Sequence, residues 1–301
     1  MLQGTIKIMT KDRLIGNIMG SIAYLMWGFL ALYWKLIVTV SPNEILVHRI
    51  IWSLGFIIFI LALKNDWKWF NIIRNKPKFW LLYIASSLLV SINWFTYIWA
   101  VNNGHTVDAS LGYFINPLFS VFLGVVFLRE KLNRPEKIAV SLAILGVLFL
   151  TIYYRSLPWV AIVLTISFGL YGLIKKQGPL DGIQSLGLET AIIFLPTLFY
   201  LFHLEATSQA SFLHCSMTTN ILLIGSGIVT ATPLLLFGQA ARKIPLSTLG
   251  FLQYLAPTLQ FLLGVFIFRE QFQFPKLIGF SIIWIALIIF SIARFSRKYK
   301  M

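Results

Sequence analysis

The sequence predicts an all-α integral membrane protein of ten transmembrane helices, arranged as two inverted five-helix repeats. Composition, a one-sided pattern of basic residues and an internal repeat lead to that expectation. The 301 residues are 58% hydrophobic and only 12% charged, with 26 Phe, 10 Trp and 11 Tyr, whereas soluble domains carry about 25% charge. So little polar surface cannot cover a water-soluble globule of this size, and much of the exterior must face lipid.

A helix needs about 20 residues to cross about 30 Å of hydrocarbon, and ten windows qualify in order along the chain. The first, 14–38, follows Lys7, Lys11 and Arg13 and is too long for the apolar core of a secretory signal. The second, 44–63, opens on Ser41-Pro-Asn-Glu44, with the S-x-x-E spacing of a capping box and Pro at the first helical position. Lys64, Lys68, Arg74, Lys76 and Lys78 separate it from the third, 79–101; the fourth is 109–128, and Arg129, Lys131, Arg134 and Lys137 precede the fifth, 136–153. The sixth, 158–174, ends at Lys175 and Lys176; the seventh is 182–202, and a long segment leads to the eighth, 220–240. Arg242 and Lys243 come before the ninth, 248–268, and Arg269 and Lys276 flank its connection to the tenth, 275–293. Barrel strands are excluded, since they alternate apolar and polar over about ten residues.

Counting connections alternately puts 20 of the 25 basic residues on one side, leaves Arg155, Arg269 and Lys276 on the other, and places Lys35 and Arg49 within helices. The basic side is cytoplasmic, so both termini are expected inside a multi-pass protein of a bacterial inner membrane. The net charge of +15 is thereby explained without nucleic acid. One cysteine, Cys215, excludes an intramolecular disulfide and a thiolate zinc site.

A shift of 140 residues lays Pro117-Leu-Phe-Ser-Val-Phe-Leu-Gly-Val-Val-Phe-Leu-Arg-Glu130 over Pro257-Thr-Leu-Gln-Phe-Leu-Leu-Gly-Val-Phe-Ile-Phe-Arg-Glu270, and Pro135 over Pro275. A shift of 141 places Trp27-Gly28 on Phe168-Gly169 and Lys35 on Lys176. Five spans are an odd number, so a copied half enters from the opposite face. Repeats over 14–153 and 158–293, related by an axis in the membrane plane, are the architecture of secondary transporters.

Several stretches carry a family resemblance: Ala23-Tyr-Leu-Met-Trp-Gly-Phe-Leu-Ala-Leu-Tyr-Trp-Lys35, Glu44-Ile-Leu-Val-His-Arg-Ile-Ile-Trp-Ser53, Ser91-Ile-Asn-Trp94, Trp99-Ala-Val-Asn-Asn-Gly104, Ala109-Ser-Leu-Gly-Tyr-Phe-Ile-Asn-Pro117, Gly187-Leu-Glu-Thr190 and Pro245-Leu-Ser-Thr-Leu-Gly-Phe-Leu-Gln-Tyr-Leu-Ala-Pro-Thr-Leu-Gln260. In this order they resemble the RarD branch of the EamA group of drug/metabolite transporters over almost the whole chain. The resemblance implies ten helices, two repeats and an inner-membrane permease with no cofactor.

Candidate residues follow from polar chemistry at bilayer depth. Tyr24, Trp27, Asn93, Trp94, Tyr97, Tyr113, Asn116, Gln253, Tyr254 and Gln260 offer rings, phenols and amides that either line a wet pathway or join helices. Asn116-Pro117 and Ala256-Pro257 are expected to break the fourth and ninth spans at matching positions. Glu44, His48, Arg49 and Glu189 are the gating or coupling candidates. Glu44 reads first as a helix cap, and Arg49 either snorkels or lines the mouth of a cavity. Glu189 lies about two turns inside the seventh span with no basic neighbour in sequence, which calls for a partner. His48 and Glu189 coincide at the 141 offset, so protonation of either would bias which side is open. Glu44 and His48 alone supply too few ligands for a metal. The expected function is export of a small amphipathic or aromatic solute; the alternative is a membrane enzyme acting on a lipid-linked substrate, against which no G-x-S-x-G, H-E-x-x-H or phosphate loop is found. Oligomeric state is not legible.

Overall fold

A computed structural model describes residues 2–65, 67, 69–74, 76–102, 106–154, 159–267 and 274–296, for 2–10, 31, 77, 98, 101–102, 106–111, 154, 264, 276 and 294–296 in their backbone alone. Among these the regular elements are helices: α1 Leu2–Lys35, α2 Pro42–Lys64, α3 Trp69–Arg74, α4 Pro77–Asn102, α5 Thr106–Phe127, α6 Arg134–Tyr154, α7 Trp159–Gln177, α8 Gly182–Ala206, α9 Met217–Lys243, α10 Leu246–Gln253, α11 Leu255–Leu262, a π-helical stretch Leu263–Ile267, and α12 Phe274–Ser296. Among the described residues eight helical segments are long and apolar enough to cross a membrane, and two shorter apolar stretches, Gly112–Phe127 and Leu277–Ala293, lie in α5 and α12. Phe59, Phe95, Phe199 and Phe266 are each more than half exposed, as a lipid-facing surface requires. The chain is an all-α, multi-pass membrane protein.

Helix starts follow local chemistry. Ser41 accepts a hydrogen bond from the Glu44 N–H at 3.3 Å, and Pro42 begins α2. A reciprocal capping box opens α6, where Asn133 and Glu136 exchange backbone-to-side-chain bonds of 2.7 and 2.8 Å, and another, Asp181 with Gln184, opens α8. The short helix α3, unforeseen in the basic 64–78 connection, is held by burial of Trp69 and Ile73.

The expected matched breaks are corrected. Pro117 lies inside a continuous α5, leaving the Tyr113 carbonyl without its helical donor four residues on. The break in the second half falls at Tyr254 instead, between α10 and α11. Pro257 sits in the first turn of α11, where a missing N–H costs nothing.

Packing places α1, α2, α4, α7, α8 and α9 together around the interior, with α5 against α7 and α10, and α6 against α12. The α2–α9 approach is the tightest: a Cβ on Gly227 would fall 2.3 Å from the Trp52 carbonyl carbon, and Ser53 Oγ donates to the Gly227 carbonyl at 2.9 Å.

Candidate functional site

Two clusters of buried chemistry stand out. The first surrounds Glu189, seven residues beyond the start of α8. Its carboxylate accepts from Lys175 Nζ at 2.7 Å, Ser86 Oγ at 2.7 Å, Ser185 Oγ at 3.0 Å and Tyr171 Oη at 3.2 Å. Lys175 also donates to Ser185 at 2.7 Å and lies 5.0 Å from the Tyr171 ring. The donors come from α4, α7 and α8, and both charged groups are sealed from solvent, Glu189 at 0% and Lys175 at 3% exposure. The partner that Glu189 called for is therefore Lys175, which the sequence had placed with the cytoplasmic loop bases. Helix α7 runs on to Gln177, so Lys175 is one turn deeper than the apolar window implied. Next to this pair, Tyr24, Trp27, Phe168, Tyr171 and Phe237 form one aromatic cluster, with Tyr171 stacked on Phe237 at 6.0 Å.

The second cluster surrounds Arg49 on α2. Its guanidinium carbon sits over two indoles, 5.0 Å from the Trp34 ring of α1 and 5.2 Å from the Trp94 ring of α4. Nε donates to Thr230 Oγ1 of α9 at 2.9 Å. Tyr97 and Tyr113, whose rings meet at 5.8 Å, are within electrostatic range of the charge. A side chain enclosed by α1, α4, α5 and α9 points into the bundle rather than snorkelling to the interface. No carboxylate pairs with Arg49 among the described side chains, and its two terminal nitrogens have no hydrogen-bond acceptor there. An unpaired Arg inside a membrane costs about 2.5–3.5 kcal/mol on insertion scales, and each indole stack returns about 0.5–2 kcal/mol. The arrangement stabilises the cation without neutralising it.

Beside it, Trp52 Nε1 donates to His48 Nδ1 at 3.1 Å, which puts the proton of a neutral ring on Nε2. That atom has no hydrogen-bond partner and lies 3.9 Å from Glu44 Oε1. Phe212, from the connection between α8 and α9, covers the imidazole at 4.6 Å. Glu44 departs from the capping expectation: instead of returning to its own helix end, its Oε1 accepts the Ser211 and Phe212 N–H groups at 2.7 and 2.9 Å. The carboxylate fastens the α8–α9 connection over α2.

The other sequence candidates separate by what their polar atoms do. Asn93 gives its amide to the Leu164 carbonyl and Ser167 of α7, Tyr254 donates to the Phe114 carbonyl, and Gln260 reaches the Trp27 carbonyl; these bonds join helices. Asn116 Oδ1 and Gln253 Oε1 are buried without a partner. Trp94, Tyr97 and Tyr113 meet at Arg49, while Tyr24 and Trp27 belong with the Glu189 cluster. Trp34, Thr230, Lys175, Tyr171, Ser86 and Ser185 were missed. Only Lys175 left a signal, as one of the two lysines that precede the lone buried carboxylate across a single inter-helix connection. The Arg269-Glu270 end of the repeat match lies outside the described residues.

No group of three or more metal-ligating side chains occurs among the described residues.

Comparison with known proteins gives one consistent picture. The EamA-like transporter family matches residues 14–152. The chain is 46% identical over 280 residues to Protein RarD of Streptomyces exfoliatus, covering 93% of this chain and 89% of that one. It is 44% identical over 289 residues to the uncharacterized transporter YojE of Bacillus subtilis, covering 94% and 95%. A solved crystal structure, at 17% identity, shares the fold with a TM-score of 0.69 over 93% of this chain and 98% of that one.

Proposed function

The chain belongs to the RarD branch of the EamA-like transporter family, and from that premise we propose an alternating-access permease of the inner membrane that exports a small amphipathic or aromatic metabolite or drug. Membership makes it a permease of the drug/metabolite kind and not an enzyme, so the lipid-linked-substrate alternative is dropped. The solute, the direction, the membrane and the cytoplasmic placement of both termini are part of the proposal.

The observation that carries the mechanism is the interchange of packing partners under the 140-residue offset. Pairing the five spans of each half in order makes α1 equivalent to α7, α2 to α8, α4 to α9, α5 to α10 with α11, and α6 to α12. The contacts α2–α9 and α4–α8 then exchange, as do α1–α9 with α4–α7, and α5–α7 with α1–α11, while α2–α8, α5–α10 and α6–α12 map onto themselves. Helices α2 and α8 start at Pro42 and Gly182, 140 residues apart, and Tyr254 bonds the carbonyl of its counterpart, Phe114. These features support ten spans in two inverted repeats, 14–153 and 158–293, and two halves of equivalent packing can exchange conformations to move the opening from one face to the other.

In this reading Trp94, Tyr97 and Tyr113 line the solute pathway around Arg49, and Tyr24 and Trp27 continue it toward the inner face. Asn116 and Gln253 offer unused acceptors to a solute, whereas Asn93, Tyr254 and Gln260 hold the walls in register. Glu189 with Lys175 closes the inner side, and Glu44 and His48 under Phe212 close the outer side.

Purified protein in vesicles, screened for flux against a metabolite library from each face, tests the proposal. Outward-directed flux of amphipathic or aromatic solutes is expected. Flux confined to strongly hydrophilic, non-aromatic solutes, or strictly inward flux, would refute it.

A further inference from the structure

We infer that the permeating solute carries an anionic group, a carboxylate on an aromatic or otherwise flat organic body, and that Arg49 binds it through the terminal edge of its guanidinium. The inference rests on the permease reading and narrows its solute class.

A guanidinium has two faces and five donors around its rim. Arg49 Cζ sits over the rings of Trp34 and Trp94, 5.0 and 5.2 Å from their centroids, and Thr230 takes the Nε donor. What remains is the edge formed by the two terminal nitrogens, for which no acceptor occurs among the described residues. That edge is the one that pairs with a carboxylate through two parallel hydrogen bonds. Because the two indoles and the Nε acceptor come from three different helices, the edge is held in place before any solute arrives, which lowers the entropy lost on binding. Tyr97 and Tyr113 extend the same lining with phenol rings, and Arg49, Trp34, Trp94, Tyr97 and Tyr113 all keep partial accessibility.

The same lining argues against other charge types. A cationic solute would meet the guanidinium with no compensating acid, since no Asp or Glu pairs with Arg49 among the described side chains. The buried acid of the other cluster, Glu189, is already saturated by four donors. A zwitterion would gain at its carboxylate and find only the neutral amide oxygens of Asn116 and Gln253 for its ammonium.

Equilibrium binding to the purified full chain in detergent tests this with radiolabelled phenylacetate, its neutral isostere phenylacetamide and its cationic counterpart phenethylamine. Phenylacetate is expected to bind about thirtyfold or more tightly than the amide, and the amine not measurably. Arg49→Gln should abolish the preference for the acid, and Arg49→Lys should keep a reduced one, because a point charge remains but the fork is lost. The comparison of acid with amide on the unaltered chain needs no variant, so it stands even where a variant folds poorly. Equal affinity for acid and amide, absence of phenylacetate binding, or an Arg49→Gln chain that binds the acid like the parent would overturn the inference. Anion binding without flux in vesicles would leave this site standing and count against the transport mechanism. Flux of neutral or cationic solutes unaffected at Arg49 would do the reverse.

Discussion

Glu189 and Arg49 are both charges carried into the interior of a helix bundle, and they are held in opposite ways. Every oxygen of the Glu189 carboxylate is engaged, by donors from three helices, and its countercharge Lys175 is sealed in with it. Arg49 has stacking partners and one hydrogen bond but no countercharge among the described residues, and near it Glu44 Oε2 and His48 Nε2 are buried without hydrogen bonds. A satisfied network fixes one conformation, whereas an unsatisfied one keeps capacity for a ligand. The first cluster has the physics of a fastening and the second that of a receptor.

The largest effect should come from breaking the fastening on one side only. Removing a single partner of a buried ion pair leaves a charge stranded and costs about 3–5 kcal/mol, while replacing both with apolar residues of similar volume is nearly neutral. Lys175→Met and Glu189→Leu are each expected to lower the thermal unfolding midpoint in detergent strongly, and the double variant to recover most of the loss. If the double variant is as unstable as the sum of the singles, the pair is not the unit that holds α7 to α8.

How much of this contrast the sequence carries depends on the range of the forces involved. Ten apolar windows, the basic asymmetry and the 140-residue repeat are local or periodic signals; among the described residues eight helical segments are long and apolar enough to span, while α3 falls outside the windows and the ninth window holds the break at Tyr254. Glu189 was conspicuous as a lone carboxylate in an apolar run. Its partner was not, because Lys175 adjoins Lys176 at the edge of a window and reads as a loop base; only tertiary packing against α4 and α8 brings it inside. Arg49 was visible as a basic residue within a span, but Trp34 and Thr230, which orient it, look like any other residues of α1 and α9. Glu44 was misassigned for the same reason. The S-x-x-E spacing is a local rule, and the amides of Ser211 and Phe212, 167 and 168 residues away, outcompete the helix end for the carboxylate.

A smaller effect is expected where α9 meets α2. A Cβ at Gly227 would strike the Trp52 and Ser53 backbone at 2.3–2.5 Å, while one at Gly187 on α8 would come no closer than 3.2 Å to the Ile57 side chain. Gly227→Ala should force α2 and α9 apart, cost about 1–3 kcal/mol and pull Thr230 away from Arg49, weakening anion binding as well as stability. Gly187→Ala should change the unfolding midpoint little. Equal effects at the two glycines would mean that the receptor side is not more tightly specified at this contact than the fastened side.

Glu44 tests the outer covering at about 1 kcal/mol. Glutamine keeps an acceptor for the Ser211 and Phe212 amides but loses the charge that strengthens those bonds, so Glu44→Gln should loosen the α8–α9 connection and leave the bundle folded. The readout is the rate at which an impermeant maleimide labels Cys215, which lies in that connection with Sγ 3.2 Å from Asn220 Oδ1. A rise of about fivefold is expected, measured on intact spheroplasts. Labelling only after the membrane is opened would reverse the proposed orientation, and an unchanged rate would free Glu44 from its fastening role.

The smallest effect on stability, and the sharpest test of the comparison, belongs to Arg49→Met. The substitution removes one hydrogen bond worth about 1 kcal/mol and two indole stacks of about 0.5–2 kcal/mol each, but it also removes the cost of an unpaired charge at membrane depth, about 2.5–3.5 kcal/mol. These contributions nearly cancel. Methionine retains a flexible apolar stem that can pack beside Trp34 and Trp94 without a large void. The unfolding midpoint is therefore expected to stay level or rise slightly while anion binding disappears, the reverse of the single Glu189 and Lys175 variants. A loss of several kcal/mol at Arg49, matching theirs, would mean that its charge is satisfied inside the fold after all, and the distinction between receptor and fastening would collapse.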